Sequence, residues 1–162
     1  MRRLAGRAGA ALLRTNVHLV TAESCTGGLL AATCTANAGS SEWFEGAFVT
    51  YRIPVKIRVL DVSELTLARW GAVSEPTARE MAVGALNHCD AEMAVSITGV
   101  AGPGGGDVSV PVGMVWIAWA MRVPTGVRIV QTARHEFAGS REHIRRAAVG
   151  AALEGILAIL HD

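Results

Sequence analysis

The chain has 162 residues, 51% hydrophobic and 18% charged, which suits one domain with a sizeable core and excludes a disordered chain. A formal net charge of +1 lacks the basic excess with which proteins usually meet a phosphate backbone, so no nucleic-acid partner is expected. Three cysteines without CxxC spacing, Cys25, Cys34 and Cys89, suggest neither a disulfide framework nor a zinc site and fit a reduced, cytoplasmic setting.

In chain order, a helical pattern covers Arg3 to Arg14, and a short apolar strand runs from Val17 to Ala22. Thr21-Ala-Glu-Ser-Cys-Thr-Gly-Gly28 follows, then a small apolar helix from Leu29 to Thr35. Phe44 to Tyr51 reads as a second strand, and Pro54 opens a short helix to Leu60. Ser63-Glu-Leu and Ser74-Glu-Pro look like capped helix starts, the second leading to His88. Met93 to Thr98 is a strand, and Gly99 to Pro111 a glycine-dense loop. Gly113 to Met121 and Val127 to Phe137 pattern as a hairpin, and Ser140 caps a last helix reaching Leu160. The longest apolar stretch, Val110 to Met121, is far short of the roughly 20 residues that span a bilayer, so no membrane partner is expected. Strands interleaved with helices predict an α/β fold, a three-layer sandwich whose mixed sheet is covered by helices, as one domain over residues 1–162. Val115-Trp-Ile-Ala-Trp119 is apolar on both faces, which fits a doubly covered strand or a face that meets another subunit.

Three segments could carry chemistry. Ser24 lies where a strand gives way to a helix, near N–H groups without partners and the positive end of a dipole. Such a place caps the helix or stabilises an oxyanion, and this stretch alone does not choose between them. GxSxG is absent, so Ser24 is no nucleophile elbow. The five histidines, His18, His88, His135, His143 and His161, have no spacing that marks a triad or a metal site. One lysine, Lys56, stands among fourteen arginines, and only a lysine can become a neutral base, since arginine keeps its proton. Four of the five residues 102–106 are glycine, Gly102, Gly104, Gly105 and Gly106, and their amides could line an anion cavity or form a plain loop. The arginines at Arg2, Arg3, Arg7 and at Arg141, Arg145, Arg146 read as solvated helix faces.

Taken together, Ala22-Glu-Ser-Cys-Thr-Gly-Gly28, Phe48-Val-Thr-Tyr51 with Lys56, Gly71-Ala-Val-Ser-Glu75, Ala78-Arg-Glu-Met81, and Thr98-Gly-Val-Ala-Gly-Pro-Gly-Gly-Gly106 with Pro111-Val-Gly113 resemble the CinA C-terminal domain family. Its enzymatic members are nicotinamide-nucleotide amidohydrolases. The resemblance implies deamidation of nicotinamide mononucleotide, with Ser24 as nucleophile, Lys56 as general base and Tyr51 nearby. It further suggests oxyanion donors in the backbone amides near Cys25 and Thr26, with Gly27 beside them at the substrate, Thr98 on the floor, and Gly102, Gly104, Gly105, Gly106 and Arg145 around the phosphate or ribose. No metal or organic cofactor is implied, and a homodimer or larger homo-oligomer is. Where the family reads Thr-Tyr-Ser-Asn-x-x-Lys, this chain reads Thr50-Tyr-Arg-Ile-Pro-Val-Lys56, which leaves open a non-catalytic relative that binds a nucleotide or a protein. Asp107-Val-Ser-Val110 also departs from the charged stretch usual before Pro-Val-Gly.

Overall fold

The computed structural model describes residues 1–160, so His161 lies outside the described residues. The elements follow in the order α1 (Arg2–Arg14), β1 (Leu19–Glu23), α2 (Leu29–Thr35), a 3-10 turn (Ser40–Glu42), β2 (Phe44–Val49), α3 (Ile53–Leu60), α4 (Glu64–Trp70), α5 (Glu75–Asn87), β3 (Met93–Gly99), β4 (Met114–Val123), β5 (Gly126–Glu136) and α6 (Arg141–Ile159). The three predicted serine caps form: Ser63, Ser74 and Ser140 accept from the N–H groups of Leu65, Thr77 and His143.

Among the described residues the strands make one sheet in the order β2-β1-β3-β4-β5. The first three run parallel, and β4 and β5 are antiparallel to their neighbours, so the sheet is mixed as predicted. Alternation along the central strands divides the core into two. Leu19, Val95, Ile117 and Trp119 face α1, α2 and α6, while Val20, Ala22, Ala94, Ala118 and Ala120 face α3, α4 and α5. Coverage on both faces accounts for the apolar pattern of β4 within one chain.

Several boundaries shift by one or two residues from the sequence reading, and two of the shifts bear on the site. The first strand runs on to Glu23, because Ala22 and Glu23 still pair with both β2 and β3. The second ends at Val49 rather than Tyr51, because the carbonyls of Thr50 and Tyr51 turn towards the Lys56 amine. The element that carries Lys56 is fixed by a close crossing. A Cβ on Gly84 of α5 would stand 2.0 Å from the Leu60 carbonyl oxygen at the end of α3. Gly84→Ala is therefore expected to lower stability by roughly 2 kcal/mol through overpacking, read as a lower urea midpoint at unchanged slope.

Candidate active site

Parallel strands in the order β2-β1-β3 bring three chain segments to one end of the sheet. Ser24 directly follows β1, Thr50 and Tyr51 follow β2, and Thr98 and Gly99 close β3 ahead of the glycine loop. The carboxyl ends of parallel strands are where α/β folds place ligand clefts.

The turn between β1 and α2 settles what Ser24 does locally. It does not cap the helix. The carboxylate of Glu23, fully buried, accepts from the N–H groups of Gly28, Leu30 and Ala31 at 2.8–3.1 Å, so the cap and the anion at this helix start both come from Glu23. Gly27 and Gly28 have φ of 57° and 91°, a left-handed region open to glycine at little cost, which explains the paired glycines. The Ser24 N–H donates to the Ile97 carbonyl on β3, and the Ser24 hydroxyl is left facing α3. Glu23→Ala would leave three donors, one buried and two partly buried, without their acceptor. An expected loss of at least about 2 kcal/mol, with Glu23→Gln intermediate, can be read by urea unfolding.

Lys56 comes up from the first turn of α3. Its backbone N–H donates to the Arg52 carbonyl, and Pro54 stands in the first turn, where a missing N–H does no harm. The replacement of Ser-Asn by Arg52-Ile53 therefore does not dislodge the lysine. Lys56 is 1% exposed, and its Nζ lies 2.8 Å from Ser24 Oγ, 2.5 Å from the Thr50 carbonyl and 3.3 Å from the Tyr51 carbonyl. No carboxylate pairs with it among the described residues. Burial pushes its pKa down from 10.5 to about 8, against a small opposing pull from Cys25. The two carbonyls can only accept, so a neutral amine gives them both of its hydrogens and turns its lone pair to the Ser24 hydroxyl.

The pair opens into a cleft of about 250 Å³ whose wall includes Ser24, Cys25, Tyr51, Lys56, Thr98 and glycines 102, 104 and 105. Thr98 donates to the Ala72 carbonyl at 2.7 Å, drawing the 71–74 loop into the opposite wall. Burial raises the Cys25 thiol to about 11 and keeps it protonated. Among the described residues, the Cys25 N–H and that of Thr26 donate to no backbone carbonyl, nor do those of Gly102, Gly104 and Gly105.

Four of the residues expected at the cleft lie outside its wall. Thr26 and Gly27 belong to the turn after Ser24 and not to the lining, and Gly106 packs against the backbone of residues 110–112. Arg145 reaches the back of the turn, donating to the Thr26 carbonyl at 2.6 Å. The arginine at the cleft is Arg141, read from the sequence as part of a solvated face. Its guanidinium donates to the Gly102 carbonyl at 2.7 Å and to the Tyr51 hydroxyl at 3.0 Å, joining two walls. Arg141 and Arg145 are one helical turn apart, a spacing that signals a shared face but not what that face meets. Glu23 also went unassigned, although a carboxylate just before a helix start is a capping signal. Of the histidines, His18 pairs with Glu92 and His88 with Asp61, both outside the cleft.

The description of the CinA C-terminal domain matches residues 1–160. The nicotinamide-nucleotide amidohydrolase PncC of Escherichia coli strain K12 is 48% identical over 151 residues, covering 93% of this chain and 89% of that protein. Its namesake from Pseudomonas putida is 46% identical over 154 residues, covering 95% and 93%. Among solved structures, the competence/damage inducible protein CihA of Agrobacterium tumefaciens is 41% identical, with a TM-score of 0.92 over 99% of this chain and 95% of that one. Fold, segment order and sequence agree, and the chain belongs to the CinA C-terminal domain family.

Proposed function

We propose that this chain hydrolyses the carboxamide of nicotinamide mononucleotide, giving nicotinate mononucleotide and ammonia, with Ser24 as nucleophile and Lys56 as general base. The observation that carries the reading is the buried Lys56 amine 2.8 Å from Ser24 Oγ, held by two carbonyls. The names of the PncC relatives supply the substrate.

Neutral Lys56 takes the hydroxyl proton as Ser24 Oγ attacks the carboxamide carbon. The resulting oxyanion is met by the N–H groups of Cys25 and Thr26, which among the described residues have no backbone acceptor. The Lys56 ammonium then protonates the departing nitrogen, and ammonia leaves a Ser24 ester. Water, deprotonated by Lys56, cleaves that ester, and the acid is released. Tyr51, 55% exposed at the cleft wall, offers a ring face to the electron-poor pyridinium. Arg141 and the amides of Gly102, Gly104 and Gly105 suit the phosphate.

The test is ammonia release from nicotinamide mononucleotide, with nicotinamide riboside as the analogue that lacks phosphate. The mononucleotide is expected to be the better substrate by kcat/KM. Saturable binding of the mononucleotide without ammonia would replace this reading by a binding role. The pH profile adds a second check. With Lys56 titrating at about 8, kcat/KM should rise about tenfold from pH 7 to pH 9 and then level off. The second phosphate ionisation, near 6, lies below that window. A flat profile would mean that Lys56 is not the base.

A further inference from the structure

Arg145 is the cation that the cleft does not use. It projects from the second turn of α6 to the far side of the Ser24–Gly28 turn, where Nη2 donates to the Thr26 carbonyl at 2.6 Å. The same oxygen accepts from the Leu29 N–H at 3.1 Å. The guanidinium lies against the turn, for a Cβ on Gly27 would stand 3.7 Å from Nη2. No carboxylate pairs with Arg145 among the described residues, whereas Arg146 beside it pairs with Glu142. Its Nε is buried without an acceptor, and so is the Thr26 hydroxyl. A guanidinium has thus been partly desolvated for one strong contact to one peptide carbonyl.

Stability alone is a poor reason for that arrangement, because a partly buried guanidinium with a buried, unmet Nε–H is costly. The turn it holds is the one that presents Ser24. Its other end is already secured by the Glu23 carboxylate on Gly28, Leu30 and Ala31. With the Thr26 carbonyl drawn towards α6, the oxygen is kept out of the cleft, where it would repel a developing oxyanion. The positive charge is also felt across the turn, since it opposes the rise of the Cys25 thiol pKa.

We infer that Arg145 is a positioning residue for the oxyanion site: it holds the Thr26 carbonyl away from the cleft so that the N–H groups of Cys25 and Thr26 face the carbon attacked by Ser24. This rests on Ser24 being the nucleophile of the proposed reaction. It differs from a substrate-binding role, because Arg145 would act through the turn and touch no substrate.

Arg145→Met and Arg145→Lys separate the possibilities. Two rates are measured: ammonia release from nicotinamide mononucleotide, and labelling of Ser24 by an alkyl fluorophosphonate, followed by intact mass. In the second reaction an Oγ–P bond forms as fluoride leaves, the phosphoryl oxygen takes the oxyanion position, and no nucleotide is needed. Arg145→Met should lower kcat by about 10²-fold, leave KM within about twofold and slow labelling in parallel. Arg145→Lys, which keeps the charge with a single-point contact, should recover about tenfold of that loss in both rates. Unchanged kcat and labelling in both variants would overturn the inference, as would a raised KM at unchanged kcat, which would place Arg145 on the substrate. Should Arg145→Met fail to fold, Arg145→Lys decides alone: a wild-type rate in both reactions overturns the inference. Wild-type protein that is labelled at Ser24 yet releases no ammonia would refute the substrate while the labelling rates still decide for Arg145. Wild-type protein not labelled at Ser24 would end both.

Discussion

Lys56→Met is expected to lower ammonia release by at least about 10³-fold and, separately, to change how stability depends on pH. Methionine fills the space of the lysine stem but offers neither a lone pair to Ser24 nor hydrogens to the Thr50 and Tyr51 carbonyls. The pH effect follows from linkage. In the folded chain Lys56 titrates at about 8, and in the unfolded chain at its ordinary 10.5. Between those values the unfolded chain holds a proton that the folded chain has released, so wild-type stability gains with rising pH across this window. Below about pH 8 both states are protonated, and folding carries the full burden of a buried ammonium. The stability of wild type minus that of Lys56→Met should therefore rise by about 3 kcal/mol from pH 7 to pH 10.5. Urea unfolding of both proteins at matched pH measures it. Parallel curves would mean that the amine is not held in a site that disfavours its charge, and the general-base role would go with it.

The expectations from sequence fared differently according to range. Local signals held well for the serines at 63, 74 and 140, which each cap a helix, and of the two readings left open for the unbroken apolar run Val115 to Trp119, a strand covered on both faces accounts for it. The lone lysine drew attention to Lys56 by its chemistry, but a separation of 32 positions from Ser24 says nothing of their meeting. That meeting depends on β1 and β2 being parallel neighbours and on α3 turning back over their ends, which no local pattern encodes. The arginines of α6 show the same limit. Their spacing puts Arg141 and Arg145 on one face, yet only the packing of α6 sends one to the cleft and the other behind the turn. Ser24 was ambiguous because a strand-to-helix serine reads as a cap, and the carboxylate that takes that role, Glu23, is its immediate neighbour.

Ser24→Ala is the second change expected to have a large effect. It removes one buried oxygen and leaves the Lys56 amine its two carbonyl partners, so stability should move by less than about 1 kcal/mol. Without Oγ there is no ester intermediate, and the remaining oxyanion donors can assist only direct attack by water. Arg141, the glycine loop and Tyr51 are untouched, so the variant should still bind nicotinamide mononucleotide. Loss of turnover with retained fold and binding isolates the nucleophile from every other part of the cleft. The deciding measurement is steady-state ammonia release from nicotinamide mononucleotide by wild type and Ser24→Ala, side by side at pH 9. The variant's rate should be at least about 10³-fold lower at unchanged melting temperature. A variant rate within about tenfold of wild type would contradict this.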